Sequence, residues 1–349
     1  GKMHPLLKII EDRKKGIKSG IVSICSANRY VTEASMNRAK KENTYVLIEA
    51  TANQVNQFGG YTGMRPADFR DFIFQIADEI GFERERILLG GDHLGPLVWK
   101  DLPEEKAMEY SHTLIDQFVS AGFTKIHLDT SMRLKDDDPN APLETSVIAK
   151  RGALLCKTAE EAAKRAGTKP VYVIGSEVPI PGGSQEEEDT VSVTTVESFV
   201  NTVETYKKTF SELGLDEAFD RVIGVVVQPG VEFGDETIHP YDREKAALLT
   251  AKKAEYPNIV FEGHSTDYQL PELMKQMNED GIALLKVGPA LTFAMREGLF
   301  ALELIEKALV DPEEQSRFSD ILEKVMTEKP DNWKKHYHGD EKQLKIKRK

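Results

Sequence analysis

A histidine directly after an aspartate in "GGDHLGP" (90–96) follows a short apolar run, and a second histidine closes "NIVFEGH" (258–264) in the same way. Carboxylates stand at matching places, with Asp129 ending "KIHLD" and Glu177 ending "VYVIGSE". Imidazole nitrogens and carboxylate oxygens meeting from separate strand ends form the donor set of a divalent cation, with one position left open for substrate. His93, Glu177 and His264 are therefore the candidate metal shell, and Asp129 or Gln228 is the candidate further ligand or orienting group. A cation held there would polarise a hydroxyketone bound through its carbonyl and adjacent hydroxyl. That stabilises an enediolate, the intermediate of both aldol cleavage and proton abstraction beside a carbonyl. Asp92, beside His93, is then the candidate acid-base group for the hydroxyl proton that moves as the C3–C4 bond breaks, with Asp129 and Glu177 as the other catalytic carboxylates.

Each of these residues has a plainer role available. A strand-end histidine often serves as a hydrogen-bonded structural residue, so the metal reading depends on His93, Glu177 and His264 lying together. His127 shares a strand face with Asp129 but lies deeper, as a satisfied core histidine would. Glu262 shares a face with His264 and fits either a carboxylate behind that ligand or a buried ion-pair partner. Asn28, Glu49, Asn53, Gln54 and Lys286 also fall near strand ends, where a polar substrate would bind. Ser265 and Thr266, with Gly288 before Pro289, offer hydroxyls and backbone N–H groups suited to a phosphate. Cys25 and Cys156 read as small packing residues. The trio Asp136, Asp137 and Asp138 lacks EF-hand spacing and reads as a solvated loop.

For separated strand ends to converge, the chain must close on itself. Eight apolar runs recur: GIVSIC (20–25), YVLIEA (45–50), RILLGG (86–91), KIHLD (125–129), VYVIGSE (171–177), RVIGVVVQ (221–228), NIVFEGH (258–264) and IALLKVG (282–288). Amphipathic stretches such as 65–81, 102–122 and 192–214 lie between them, with apolar residues three and four apart and helix-ending glycines. Continuous apolar strands alternating with helices imply parallel pairing through right-handed crossovers. Eight such units predict an α/β fold of the (β/α)8 TIM-barrel type over residues 1–310. Helices are expected over 289–310 and 312–327, and residues 311–349 form a C-terminal helical extension. A doubly wound open sheet is the alternative, but no GxGxxG turn follows the first run. The long links, 51–64, 130–143, 178–190 and 229–242, all follow strands, which places the site at the C-terminal face.

Bulk properties narrow the function classes. With 349 residues and 40% hydrophobic content, the chain can bury a sizeable core. Two cysteines are too few for a disulfide framework or a thiolate zinc site, so a reducing, cytoplasmic setting is expected. No apolar run is long enough to span a bilayer and no signal-peptide core is present, so neither export nor a membrane partner is expected. A net charge of -12 opposes nucleic-acid binding, and the basic run 342–349 reads as a solvated tail. Neither a P-loop nor a sugar-kinase glycine loop is present, which argues against a kinase.

The blocks "LIEATANQVNQFGGYTGM", "GGDHLGP", "KIHLDTSM", "GSEVPIPGG", "VVQPGVEFG", "EGHSTDYQ", "LKVGPALTFAMRE" and "HYHGD" resemble the GatZ/KbaZ family across essentially the whole chain. That resemblance implies a non-catalytic subunit of class II D-tagatose-1,6-bisphosphate aldolase, partnered with the catalytic subunit. Relatives also carry metal-dependent 4-epimerase activity between fructose and tagatose or their 6-phosphates. It further implies a distant class II aldolase barrel, in which Asp92 and His93 match the catalytic aspartate and a zinc ligand. Glu177 resembles the strand-five carboxylate, and His264 the strand-seven ligand. Gln228 departs from the histidine of a catalytic aldolase, and a glutamine is a weaker zinc ligand. Zinc is thus the expected cofactor, with Mn, Co or Ni as alternatives, and a ketohexose or its phosphate the expected substrate. Activity by retro-aldol cleavage, aldehyde rotation and re-addition is the enzyme expectation; a purely structural subunit is its alternative. A homo-oligomer is compatible with either. The family runs several tens of residues beyond "HYHGD", so a shortened C-terminus is expected here.

Overall fold

In a computed structural model that describes residues 1–176, 191–233, 238–264, 266, 269–288, 312–314, 318–328 and 339–348, all eight apolar runs are strands. They are β1 Ile21–Cys25, β2 Val46–Thr51, β3 Ile87–Leu94, β4 Lys125–Leu128, β5 Val171–Ile174, β6 Val222–Val227, β7 Val260–Gly263 and β8 Ile282–Val287. Each pairs in parallel with its sequence neighbour, and β1 pairs with β8, so the ring is closed. β2 and β6 are buried at every position, as strands must be when side chains fill the lumen on one face and helices cover the other. The chain is a TIM barrel rather than an open sheet.

Helices follow the strands where local chemistry starts and stops them. Pro66 opens α3 (Pro66–Ile80), the Arg65 N–H donates to Asp68, and Gly81 at φ 72° ends it. Its inner face, Phe69, Ile73, Ile76 and Ala77, is fully buried against the barrel, so Phe69→Ala would cost about 3–5 kcal/mol. The helices expected over 102–122 and 192–214 are α4 (Glu104–Ser120) and α6 (Val196–Glu212), with α5 (Thr145–Ala166) between them.

The N-terminal end of the barrel is stoppered. α1 (Pro5–Lys14) inserts Leu6 and Ile10 into the same apolar cluster as the lumen residues Leu47, Leu88, Val171 and Ile223. His4, which caps α1, reaches Thr124 Oγ1 at 2.9 Å and pins the stopper to the foot of β4.

Some expectations fall differently. The link after β6 contains a small antiparallel pair, Glu232–Phe233 with Ile238–His239. The basic terminal run lies in a helix, Glu341–Arg348, with Lys342 exposed. Glu177, Ser265 and the helix expected over 289–310 lie outside the described residues. No helix among the described residues is long and apolar enough to cross a membrane.

Candidate metal centre

The stretch "GGDHLGP" forms the end of β3, where regular alternation would send Asp92 and His93 to opposite faces. The β3–β4 register shifts between Gly91 and Leu94, and His93 adopts a left-handed φ of 51°. This bulge brings both side chains to the inside, where each is essentially fully buried. A left-handed histidine costs on the order of 1–2 kcal/mol, which the surrounding contacts must hold in place. Two glycines allow the crowding: a Cβ on Gly90 would meet the Glu49 carboxylate, and one on Gly95 would collide with the Asp129 carbonyl oxygen.

Three imidazoles converge here. His93, His127 and His264 have ring centroids 5.0–5.5 Å apart. Each is backed by a carboxylate: His93 Nδ1 lies 2.7 Å from Asp129 Oδ2, His264 Nε2 2.7 Å from Glu262 Oε1, and His127 Nδ1 2.9 Å from Asp92 Oδ1. The opposite nitrogens, His93 Nε2, His127 Nε2 and His264 Nδ1, are buried without a hydrogen-bond partner among the described residues. With one oxygen of Asp92, the four residues place their donor atoms within 4.8 Å of one another.

Those unpartnered nitrogens test whether the residues fit a cation. A buried polar atom left unpaired costs about 1–3 kcal/mol, and three aimed at one point share a single remedy. A carboxylate behind each ring fixes the tautomer with its lone pair inward, the usual support of a metal-ligating histidine. His127 Nδ1 also lies 3.1 Å from the His93 backbone N–H, and one nitrogen cannot both accept there and donate to Asp92. Because Asp92 is anionic, donation to it is the stable choice, and this frees Nε2. The residues fit a divalent cation.

The charges agree. Burial would push the Asp92 carboxyl up, but the Lys286 ammonium at 2.6 Å and the nearby imidazoles hold it well below the usual range. Burial lowers His264 to about 4 and also lowers His93, so both are neutral donors at pH 7. Burial would lower His127, but its hydrogen bond to Asp92 and the carboxylates around it raise it, so at this ring a cation would have to displace the Nε2 proton. Beneath this layer Lys125 lies 2.7 Å from both Glu49 and Glu262, all three fully buried. Burial lifts Glu49 to about 7 against the pull of Lys125. The ionised buried carboxylates Asp92, Asp129 and Glu262 thus outnumber the ammonium groups of Lys125, fully buried, and Lys286, partly buried, so the pocket accepts added positive charge.

The other expected site residues are placed as follows. His127 is not a satisfied core residue; it joins the cluster because the β3 bulge carries Asp92 to its Nδ1. Gln228 is folded into its own turn, its Oε1 accepting from Gly230 N and Val231 N, so it does not reach the cluster. Asn28 caps α2 (Arg29–Glu42) by accepting from Tyr30 and Val31. Thr266 is buried and donates to the Lys286 carbonyl at 2.5 Å. Gln54 accepts from Thr51 N, Asn53 is exposed, and Gly288 approaches the Cys25 carbonyl. Lys125 was missed altogether, although two glutamates inside apolar runs demand a buried cation.

Known proteins share this arrangement of chain. Residues 6–349 match the profile of a family described as "D-tagatose-1,6-bisphosphate aldolase subunit GatZ/KbaZ-like". The GatZ subunit of Salmonella gallinarum is 50% identical over 331 residues, covering 95% of this chain and 78% of that one. GatZ of Klebsiella pneumoniae is 50% identical over 330 residues, 94% and 77% of the two chains. A crystal structure from Sinorhizobium meliloti 1021, described as a "probable tagatose 6 phosphate kinase", is 47% identical with a TM-score of 0.86, covering 94% of this chain and 80% of that one. Fructose-bisphosphate aldolase from Campylobacter jejuni shares the fold at 14% identity and a TM-score of 0.52, over 89% and 84% of the two chains.

Proposed function

Because the chain belongs to the GatZ/KbaZ-like family of D-tagatose-1,6-bisphosphate aldolase subunits, we propose that it serves as the accessory subunit of such an aldolase, with a working cation site in its barrel mouth. The support for the first half is 50% identity to GatZ subunits over 95% of the chain. The support for the second is the convergence of three carboxylate-backed imidazoles on one point.

That convergence also favours a second reading, in which the chain itself interconverts the 4-epimers of a ketohexose or its 6-phosphate. A divalent cation held by His93, His127 and His264, with the Asp92 carboxylate beside it, would supply Lewis-acid polarisation of a ketose carbonyl. Asp129, Glu262 and Asp92 orient the three rings. Lys286 keeps Asp92 ionised, so Asp92 would take the C4 hydroxyl proton as the C3–C4 bond breaks and its electron pair passes into the C2 carbonyl. Returning that proton after re-addition to the other aldehyde face completes inversion at C4. The buried walls exclude water from the open intermediate.

One comparison separates the readings. The purified chain is incubated alone with fructose 6-phosphate and added Zn, Mn, Co or Ni, and in parallel is co-expressed with a tagatose-bisphosphate aldolase catalytic subunit. Co-purification with raised aldolase stability, and no tagatose 6-phosphate from the chain alone, supports the subunit reading. Turnover by the chain alone that chelator and His264→Ala both abolish supports the epimerase. Failure to bind any of the four metals would remove the cation from both.

A further inference from the structure

We propose that a cleft beside the imidazole cluster, over the C-terminal ends of β4 and β5, is an anion subsite that takes the phosphate of a phosphorylated sugar at the end remote from its carbonyl. This deepens the ketose reading above and rests on it for the identity of the sugar.

The cleft has a volume of about 580 Å³ and is lined by Lys100, Arg133, Ser131, Thr145, Ser176 and Ser198 among others, with no acidic side chain among its described lining residues. In a chain of net charge -12, two cations and four hydroxyls among the described lining residues form an unusual patch. Arg133 Nε donates to the Ala141 carbonyl at 2.8 Å. That bond anchors the guanidinium and involves neither terminal nitrogen, the pair that grips an oxyanion. Among the described residues Lys100 pairs with Asp101, at 3.5 Å, and the Asp101 side chain is 93% exposed, so the pair is loose and readily exchanged for a phosphate. Thr145 and Ser198 lie in the first turns of α5 and α6, whose positive ends reinforce the cations.

The cleft is coupled directly to the cluster. Ser131 donates to Asp129 Oδ1 through both its N–H, at 3.2 Å, and its hydroxyl, at 2.6 Å, while Asp129 Oδ2 holds His93. One carboxylate therefore links the cleft to the candidate cation site, and in this proposal the two ends of one sugar phosphate sit at the two places. At the ends of β7 and β8 the Lys286 ammonium is committed to the buried Asp92 at 2.6 Å, whereas Arg133 keeps its terminal nitrogens clear of its bond to Ala141.

The test uses the full chain and calorimetric titration with inorganic phosphate, fructose 6-phosphate and free fructose, for the wild type, Lys100→Met/Arg133→Met and His93→Ala/His264→Ala. Loss of two charge-assisted contacts should weaken fructose 6-phosphate binding by about 10–100-fold in the cleft variant. Free fructose and Zn titrations should be unchanged there, and phosphate binding should persist in the histidine variant. Equal fructose 6-phosphate affinity in wild type and cleft variant would overturn the proposal. Inorganic phosphate bound through the cleft while fructose 6-phosphate binds no tighter also overturns it, leaving a site for free phosphate. A wild type that binds no Zn but retains the cleft-dependent sugar-phosphate preference sinks the cation reading and supports the subsite.

Discussion

Replacing Asp129 by asparagine separates orientation from ligation, because the two side chains match in shape and differ in charge and in one donor group. Asp129 Oδ1 accepts both the N–H and the hydroxyl of Ser131, and Oδ2 holds His93 Nδ1. An asparagine amide cannot serve all three. With its NH₂ toward His93 it demands a lone pair on Nδ1, moves the ring proton to Nε2 and removes one imidazole from the donor set. With its oxygen toward His93 it sets NH₂ against the Ser131 N–H, which cannot turn away, at about 1–3 kcal/mol. In either orientation the anionic support of His93 is lost. Removing such a partner lowers metal affinity by about 10–100-fold, or roughly 1.4–2.7 kcal/mol. The assay is Zn competition against a chromophoric chelator at pH 7.5, with thermal melting of the metal-free protein run alongside. An Asp129→Asn protein that binds Zn as tightly as the wild type and melts at the same temperature would refute the role given to this dyad.

Lys286→Met removes the ammonium that shares Asp92 with the cation, so Zn affinity should rise while the metal-free protein loses about 3–5 kcal/mol in urea denaturation; weaker Zn binding would count against competition. His264, lowered to about 4 by burial, takes up its proton more readily when unfolded, so its stabilisation is complete above about pH 6.5 and is lost as pH falls toward 4. Glu49, raised to about 7, acts in the opposite sense, favouring the fold below about pH 4.5 and losing that contribution as pH rises through 7. Melting curves from pH 7 to 4 should therefore fall more steeply for Glu49→Gln than for wild type, and identical slopes would contradict this. Gly95→Ala drives a Cβ into the Asp129 carbonyl, which should cost at least about 1–3 kcal/mol and weaken Zn binding, whereas a neutral result in both assays would show that the backbone has room to move.

The barrel was legible because its strands are buried on both faces and so stand out as unbroken apolar runs. The bulge at the end of β3 was not, since no glycine marks the left-handed position that His93 occupies. That omission explains the misreading of His127: judged by depth along β4 it is a core residue, and only the displaced Asp92 makes it a third ring around the same point. Gln228 was misplaced for a local reason, because a side-chain amide two residues before a glycine can satisfy its own turn. Lys125 illustrates a signal present but unused. Glu49 and Glu262 sit within otherwise apolar strands, and two interior carboxylates cannot remain ionised without an interior cation.

The stopper formed by α1 has a kinetic meaning. Among the described residues Leu6, Ile10 and the His4–Thr124 contact close the N-terminal end, so exchange with the candidate cation site runs through the mouth. Cation, sugar and chelator then share one doorway and queue rather than pass. A protein seated across that doorway would slow the exchange of all three by a common factor while leaving their affinities untouched.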